Sequence, residues 1–261
     1  MNMQPRRQTI PVFLQVKTAL QILWQQRDDA LRLGLVPTLL GFGGFLYGRE
    51  ALIVMLNLMR TGIPVEPPPG VAGPLLVMSL ASMLATCLLM VNWLRFLLLG
   101  PMGAVGVGLS IGAAHVRFFF TAIGFLLGTL VLLVVLTRPL ALLPPALATI
   151  GVLVVVATVL ILLARLAPFL IGKAIGQSMS LKQSWNVSRG NGASVAVSLI
   201  LVQVPFMIGF TLLEMLLSVV GFVDMAPIGT AFIISVGQIA VLICQASVLA
   251  NAYRHMVGVR V

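Results

Sequence analysis

The sequence predicts an all-α, polytopic membrane protein with six transmembrane helices, interfacial amphipathic helices and both termini in the cytoplasm. Its composition is the first reason. Of 261 residues, 60% are hydrophobic and 8% charged, and the mean hydropathy is +1.13. A soluble domain carries about 25% charged residues. Sixteen Lys and Arg with six Asp and Glu cannot cover a water-facing shell, whereas lipid tails remove the need for one. The second reason is a series of apolar runs of bilayer length. The third is the placement of the cations, which stand at the ends of those runs.

Residues 1–32 form an amphipathic lead. After Arg6 and Arg7, the residues Val12, Phe13, Val16, Leu20, Leu23 and Trp24 recur at helical spacing opposite Gln15, Thr18, Gln21 and Gln25. This helix is too polar to span and suits the headgroup layer. The first long apolar run begins only near Leu33, with no small-residue cleavage site before it, the pattern of an uncleaved N-terminus.

Residues 33–261 read as the transmembrane domain. Spans are expected near Leu33–Leu56, Leu75–Phe96, Phe118–Thr137, Ala146–Leu166, Ala193–Val220 and Ile228–Ala250. Proline-rich links Arg60–Gly73 and Arg138–Pro145 are short turns. With the N-terminus inside, all of the sixteen Lys and Arg except Arg49, Arg60 and Arg138 fall on the cytoplasmic side, as the positive-inside rule requires. An odd number of spans would put Arg254 and Arg260 outside.

Two cytoplasmic connections are long, 97–117 and 167–192. The first is glycine-rich. In the second, Ser180 precedes Gln183 by three residues, a capping-box spacing for a helix over Leu181–Arg189, and Gly190 stands where a C-terminal glycine belongs. That helix places Leu181, Ser184, Trp185 and Ser188 on one face, with Trp185 at headgroup depth.

The second connection also carries a pattern: Arg165-x-x-Pro168, then Ser180-Leu181-x-x-Ser184-Trp185-x-x-Ser188-Arg189-Gly190-Asn191. It is followed by a new apolar run. The pattern resembles a group of bacterial inner-membrane proteins that includes the YciC-like proteins and the membrane domain fused to some glycerophosphodiester phosphodiesterases. Asn92-Trp93-Leu94-Arg95 with Leu99-Gly100, and Ala252-Tyr253-Arg254, are similar as well. The resemblance implies a bacterial inner (plasma) membrane location and the membrane part of such a protein, without the soluble barrel that bears the phosphodiesterase site. Pro101–Ala114, small and apolar here, departs from relatives that carry charges at that place.

The chemistry-bearing inventory is thin. The acids are Asp28, Asp29, Glu50, Glu66, Glu214 and Asp224 and the histidines His115 and His255, with no metalloprotease, nucleophile-elbow or nucleotide-loop motif. Both histidines read as solvated, headgroup-facing side chains, and Cys87 and Cys244 as buried free thiols. No enzyme, metal or cofactor is expected. Nor is nucleic-acid binding, because the cations cap apolar runs instead of forming one basic face. Within the spans, Asn92, Gln203, Glu214 and Gln238 read as interhelical glue or as the lining of a substrate path, with Gln203 and Gln238 expected together at mid-membrane beside Pro205. Arg49 is expected to pair with Glu50, or with Glu214 if the first and fifth spans touch. Lys173, Lys182, Trp185 and Arg189 are expected to present a cytoplasmic platform to anionic lipid or a protein partner. The function these features favour is a scaffold or accessory factor for lipid organisation or partner assembly. The alternative is a small permease or lipid transporter built around Gln203 and Gln238.

Overall fold

The computed structural model describes residues 10–61, 68–101, 111–177, 179–219 and 227–258. The described chain is helical, with no strand among the described residues. Its helices are α1 (Val12–Gln25), α2 (Arg27–Thr61), α3 (Ala72–Leu99), α4 (Ala113–Thr137), α5 (Pro145–Ile175), α6 (Leu181–Val187), α7 (Gly192–Val219) and α8 (Pro227–Val257). A five-residue 3-10 segment, Arg138–Leu142, joins α4 to α5. Six of these helices are long and apolar enough to cross a bilayer. The protein is a multi-pass membrane protein.

Three antiparallel hairpins, α2/α3, α4/α5 and α7/α8, make up the bundle. Helix α8 is central and touches α1, α2, α3, α5 and α7. The α2/α3 pair has the closest seam: a Cβ placed on Gly48 would lie 2.7 Å from Met78 Cβ, and one on Gly44 would collide with Ala81 Cβ. Small residues are what allow such an approach where lipid gives helices no hydrophobic reason to associate.

Burial is uneven along the bundle axis. The core comprises Cys87–Leu98 of α3, Ala164–Ile175 of α5, Val195–Val202 of α7 and Ile243–Tyr253 of α8, with Trp93 and Tyr253 fully enclosed. These stretches lie at the end of the bundle that carries Arg95, Arg165, Lys173 and Arg254, here called the basic end. In the opposite halves, Leu127, Val131 and Val135 of α4 and Met207, Leu212 and Leu216 of α7 face outward, as lipid-facing surface should.

The lead is held more closely than its sequence reading foresees: helix α1 docks on α7 and α8. It buries Gln15 and Ala19, while Phe13 and Trp24 are 82% and 74% exposed. A single residue, Gln26, separates α1 from α2, so residues 27–32 belong to the first span. Upstream of α1, the Ile10 N–H donates to Asn191 Oδ1 at 3.3 Å, and Ser194 Oγ donates to the Ile10 carbonyl. The chain thereby ties its N-terminal segment to the start of α7.

The connection 167–192 is also corrected. Helix α5 runs through Pro168 and ends at Ile175, closed by Gly176 in the left-handed conformation (φ 80°). Lys173 therefore stands on the last turn of α5, beside the buried Ile171, Ala174 and Ile175, instead of on a loop. Of the connection 97–117, residues 102–110 lie outside the described residues, and the remainder extends α3 and starts α4.

Candidate functional site at the basic end

Helices leave their last carbonyls without partners, and the sequence supplies cations at these points. Arg254 of α8 donates to the Leu97 carbonyl in the last turn of α3. Arg95 of α3 reaches the Ala174 carbonyl in the last turn of α5 at 3.5 Å. Arg165 of α5 donates to the Trp185 carbonyl near the end of α6 at 3.1 Å. Each arginine thus satisfies the negative pole of the next helix, linking α8 to α3, α3 to α5 and α5 to α6. That cations gather at this end was readable from the sequence; the structure adds what three of them hold.

The Arg165-x-x-Pro168 and Ser184-Trp185 pattern has a specific physical role. Pro168 has no N–H and its ring pushes against the preceding turn. At this break the Ser184 hydroxyl of α6 enters the ladder of α5. It donates to the Arg165 carbonyl at 3.1 Å and accepts from the Phe169 N–H at 3.1 Å. Ser184 has 0% exposure. The Arg165 guanidinium lies 3.4 Å from the centre of the Trp185 ring, a cation–π contact at close range. The start of α6 is fixed by the expected capping box: the Gln183 N–H donates to Ser180 Oγ at 3.2 Å and the Ser180 N–H to Gln183 Oε1 at 2.8 Å. The helix is shorter than its sequence reading, ending at Val187, and Gly190 adopts φ 89° in the turn that follows.

Of the four platform residues, Trp185 is partly consumed by Arg165, and Lys173 sits 5.1 Å from the Phe169 ring centre. Lys182 and Arg189 are exposed. The helices α3 to α6 carry cations only, because the sequence has no Asp or Glu between Glu66 and Glu214; the acids at this end are Asp28 and Asp29 in the first turn of α2.

His115 was missed by the sequence reading as a solvated side chain. It is 6% exposed. Its Nδ1 accepts the Gly112 N–H at 3.2 Å, and its Nε2 lies 3.0 Å from Asn92 Oδ1. With Nδ1 accepting, the proton belongs on Nε2 and is donated to Asn92. Asn92 therefore acts as glue between α3 and α4. Two further polar contacts lock the same end: Trp93 Nε1 to Ser247 Oγ at 2.9 Å, and Tyr253 Oη to Gln177 Oε1 at 2.8 Å. The identity of residue 115 gave no signal for its burial; only a pairing with Asn92 across two helices explains it.

The mid-membrane residues are not brought together as expected. Gln203 pairs with Gln245, 3.5 Å away on the outer surface of α7 and α8. Gln238 lies seven residues earlier on α8, about 10 Å along the axis, and lines a different space. That space is a cavity of about 850 Å³ between α2, α3, α4 and α8, whose polar lining is Thr38, Ser79, Ser82, Thr86, Ser235 and Gln238. No charged side chain lines it. The side chain of Glu214 lies outside the described residues, and α2 does not pack on α7 among the described residues, α8 standing against both. Among the described residues Arg49 forms no ion pair with Glu50.

Among the described residues no three His, Cys, Asp or Glu side chains come together. Comparisons with protein-family models, curated proteins and solved structures give no match for this chain.

Proposed function

We propose that this is a non-enzymatic membrane protein that holds anionic lipid at its basic end and acts as a scaffold or accessory factor for membrane lipid organisation. The basic end faces the cytoplasm, with both termini on that side, in a bacterial inner membrane such as the resemblance implies. The observation that carries this reading is α6. It is a short helix made rigid by the capping box and by Ser184, and it carries exposed Lys182 and Arg189 beside Trp185 in a stretch of sequence without acids. Rigid presentation matters because ordering a mobile segment on binding would oppose the attraction.

Near an anionic leaflet each cation contributes roughly 1 kcal/mol. Lys182→Gln with Arg189→Gln should therefore weaken retention of anionic phospholipid about tenfold or more, with helix content and expression unchanged. Lipid retained by protein purified in mild detergent, quantified by mass spectrometry, measures this. Unchanged retention, together with collapse of expression in Trp185→Ala, would reduce the segment to a turn between two spans.

A permease for an uncharged or lipid-like molecule is the second reading, favoured by the uncharged cavity at Gln238. Passage of labelled lipid across reconstituted vesicles, with retention unaffected by the two Gln substitutions, would select it. The orientation is checked separately. A reporter fused after Val261 should lie in the cytoplasm and one inserted near Leu142 in the periplasm; a periplasmic C-terminus would overturn the assignment.

A further inference from the structure

We propose that the groove between α4 and α5 is a built site for one acyl chain of an anionic glycerophospholipid, whose headgroup sits against Arg117 and Lys182. This rests on the lipid-holding reading above and gives it a location. The groove holds about 520 Å³ and is lined almost wholly by apolar side chains. Its mouth is formed by Leu181 and Trp185 of α6, and it descends along α4 past Gly124 and Gly128 to Leu132. A Cβ built on either glycine meets nothing within 4 Å, so these two positions form an open floor and make no helix contact.

Length identifies the occupant. From Thr121 to Leu132 the groove descends about 17 Å at 1.5 Å per residue, close to half of a hydrocarbon core of about 30 Å. One leaflet's acyl chain has that reach. A partner helix would need a seam across the full bilayer, and α4 continues beyond the groove to Thr137.

Charge identifies the headgroup. Arg117 is exposed one turn above Thr121 on the same stripe of α4, and Lys182 is exposed next to Leu181. Lys173 lies over Phe169, whose ring centre is 6.0 Å from that of the groove residue Phe125. No acid occurs in α4, α5 or α6. The polar head of a neutral zwitterionic lipid would bring its own cation to this cluster; a phosphatidylglycerol would not.

The test uses full-length protein, delipidated in mild detergent and titrated with dioleoyl phosphatidylglycerol or dioleoyl phosphatidylcholine. Native mass spectrometry counts the bound lipid. Gly124→Leu with Gly128→Leu fills the floor and should weaken phosphatidylglycerol binding roughly tenfold, since each buried methylene displaced is worth a sizeable fraction of that factor. Gly124→Ala with Gly128→Ala should bind nearly as wild type. If the Leu variant keeps its lipid while Lys182→Gln with Arg189→Gln loses it, the groove is refuted and the lipid-holding reading survives. If neither loses lipid, both are refuted. If the Leu variant instead changes the protein's oligomeric mass, the groove is a helix-docking seam and the proposal is overturned. A second measurement covers a Leu variant that fails to fold. Phosphatidylglycerol brominated on its acyl chain, added at one equivalent to wild type, should quench Trp185 emission, read as the difference from Trp185→Phe; no quenching overturns the site.

Discussion

Replacing Ser184 with alanine should lower the stability of the protein by about 2–4 kcal/mol, while threonine at the same position should restore most of the loss. Ser184 is the one side chain that both accepts from the Phe169 N–H and donates to the Arg165 carbonyl. Removing its hydroxyl leaves a buried donor and a buried acceptor, each worth about 1–3 kcal/mol when unsatisfied. The average polar side-chain contact between membrane helices is worth only about 0.6 kcal/mol, because partners separated within the bilayer find substitutes. That average is the wrong guide here. The two groups are backbone groups of one helix beside Pro168, which supplies no N–H and whose ring crowds the preceding turn, so the ladder has few substitutes at this point. Unfolding in detergent mixtures with a rising fraction of denaturing detergent measures the loss, and Trp185 emission, read as the difference from Trp185→Phe because Trp24 and Trp93 also emit, reports α6. A cost below about 0.5 kcal/mol for Ser184→Ala would mean that α5 needs no stitch, and the physical account of the pattern would fail.

That pattern also illustrates what was legible in the sequence. The six spans were, since bilayer thickness fixes their length and nothing else in the chain is that apolar. The capping box at Ser180 was too, because both of its bonds are local. The passage of α5 through Pro168 was not. Local rules read proline as an interruption, and the group that makes it tolerable comes from α6, sixteen residues later in the sequence. For α1 the helical period was correct, and Phe13 and Trp24 stay exposed, as a helix that turns its apolar face to the headgroup layer requires. The period could not show that the opposite face packs on α7 and α8. Gln15 is enclosed, its amide nitrogen and oxygen without partners among the described residues. Gln203 and Gln238 show the same limit from another side. Their depth could be read from the span boundaries, but which neighbour each one faces depends on the rotation of whole helices. His115 and Asn92 meet for a reason written only in the packing of α3 on α4.

Gly44→Leu should cost about 3 kcal/mol, whereas Gly124→Leu, the same change in the same small-xxx-small spacing, should cost almost nothing. Sequence alone treats Gly44/Gly48 and Gly124/Gly128 as equivalent helix-packing signals. Their surroundings separate them. A side chain at Gly44 runs into Ala81 Cβ, and one at Gly48 meets the Pro74 carbonyl at 3.0 Å. Neither neighbour is the flexible end of a long side chain: a methyl on its own backbone and a backbone oxygen can retreat only if α2 and α3 move apart. Such overpacking costs about 1–3 kcal/mol and occasionally more, and leucine places three further carbons behind the clashing one. At Gly124 the added side chain enters open groove, so steric cost is absent and the gain in helix propensity over glycine, up to about 1 kcal/mol, acts in its favour. Paired unfolding curves for the two variants decide the matter. Equal loss in both would show that the groove closes in the membrane, and wild-type stability in both would show that the α2/α3 seam is looser than its glycines require.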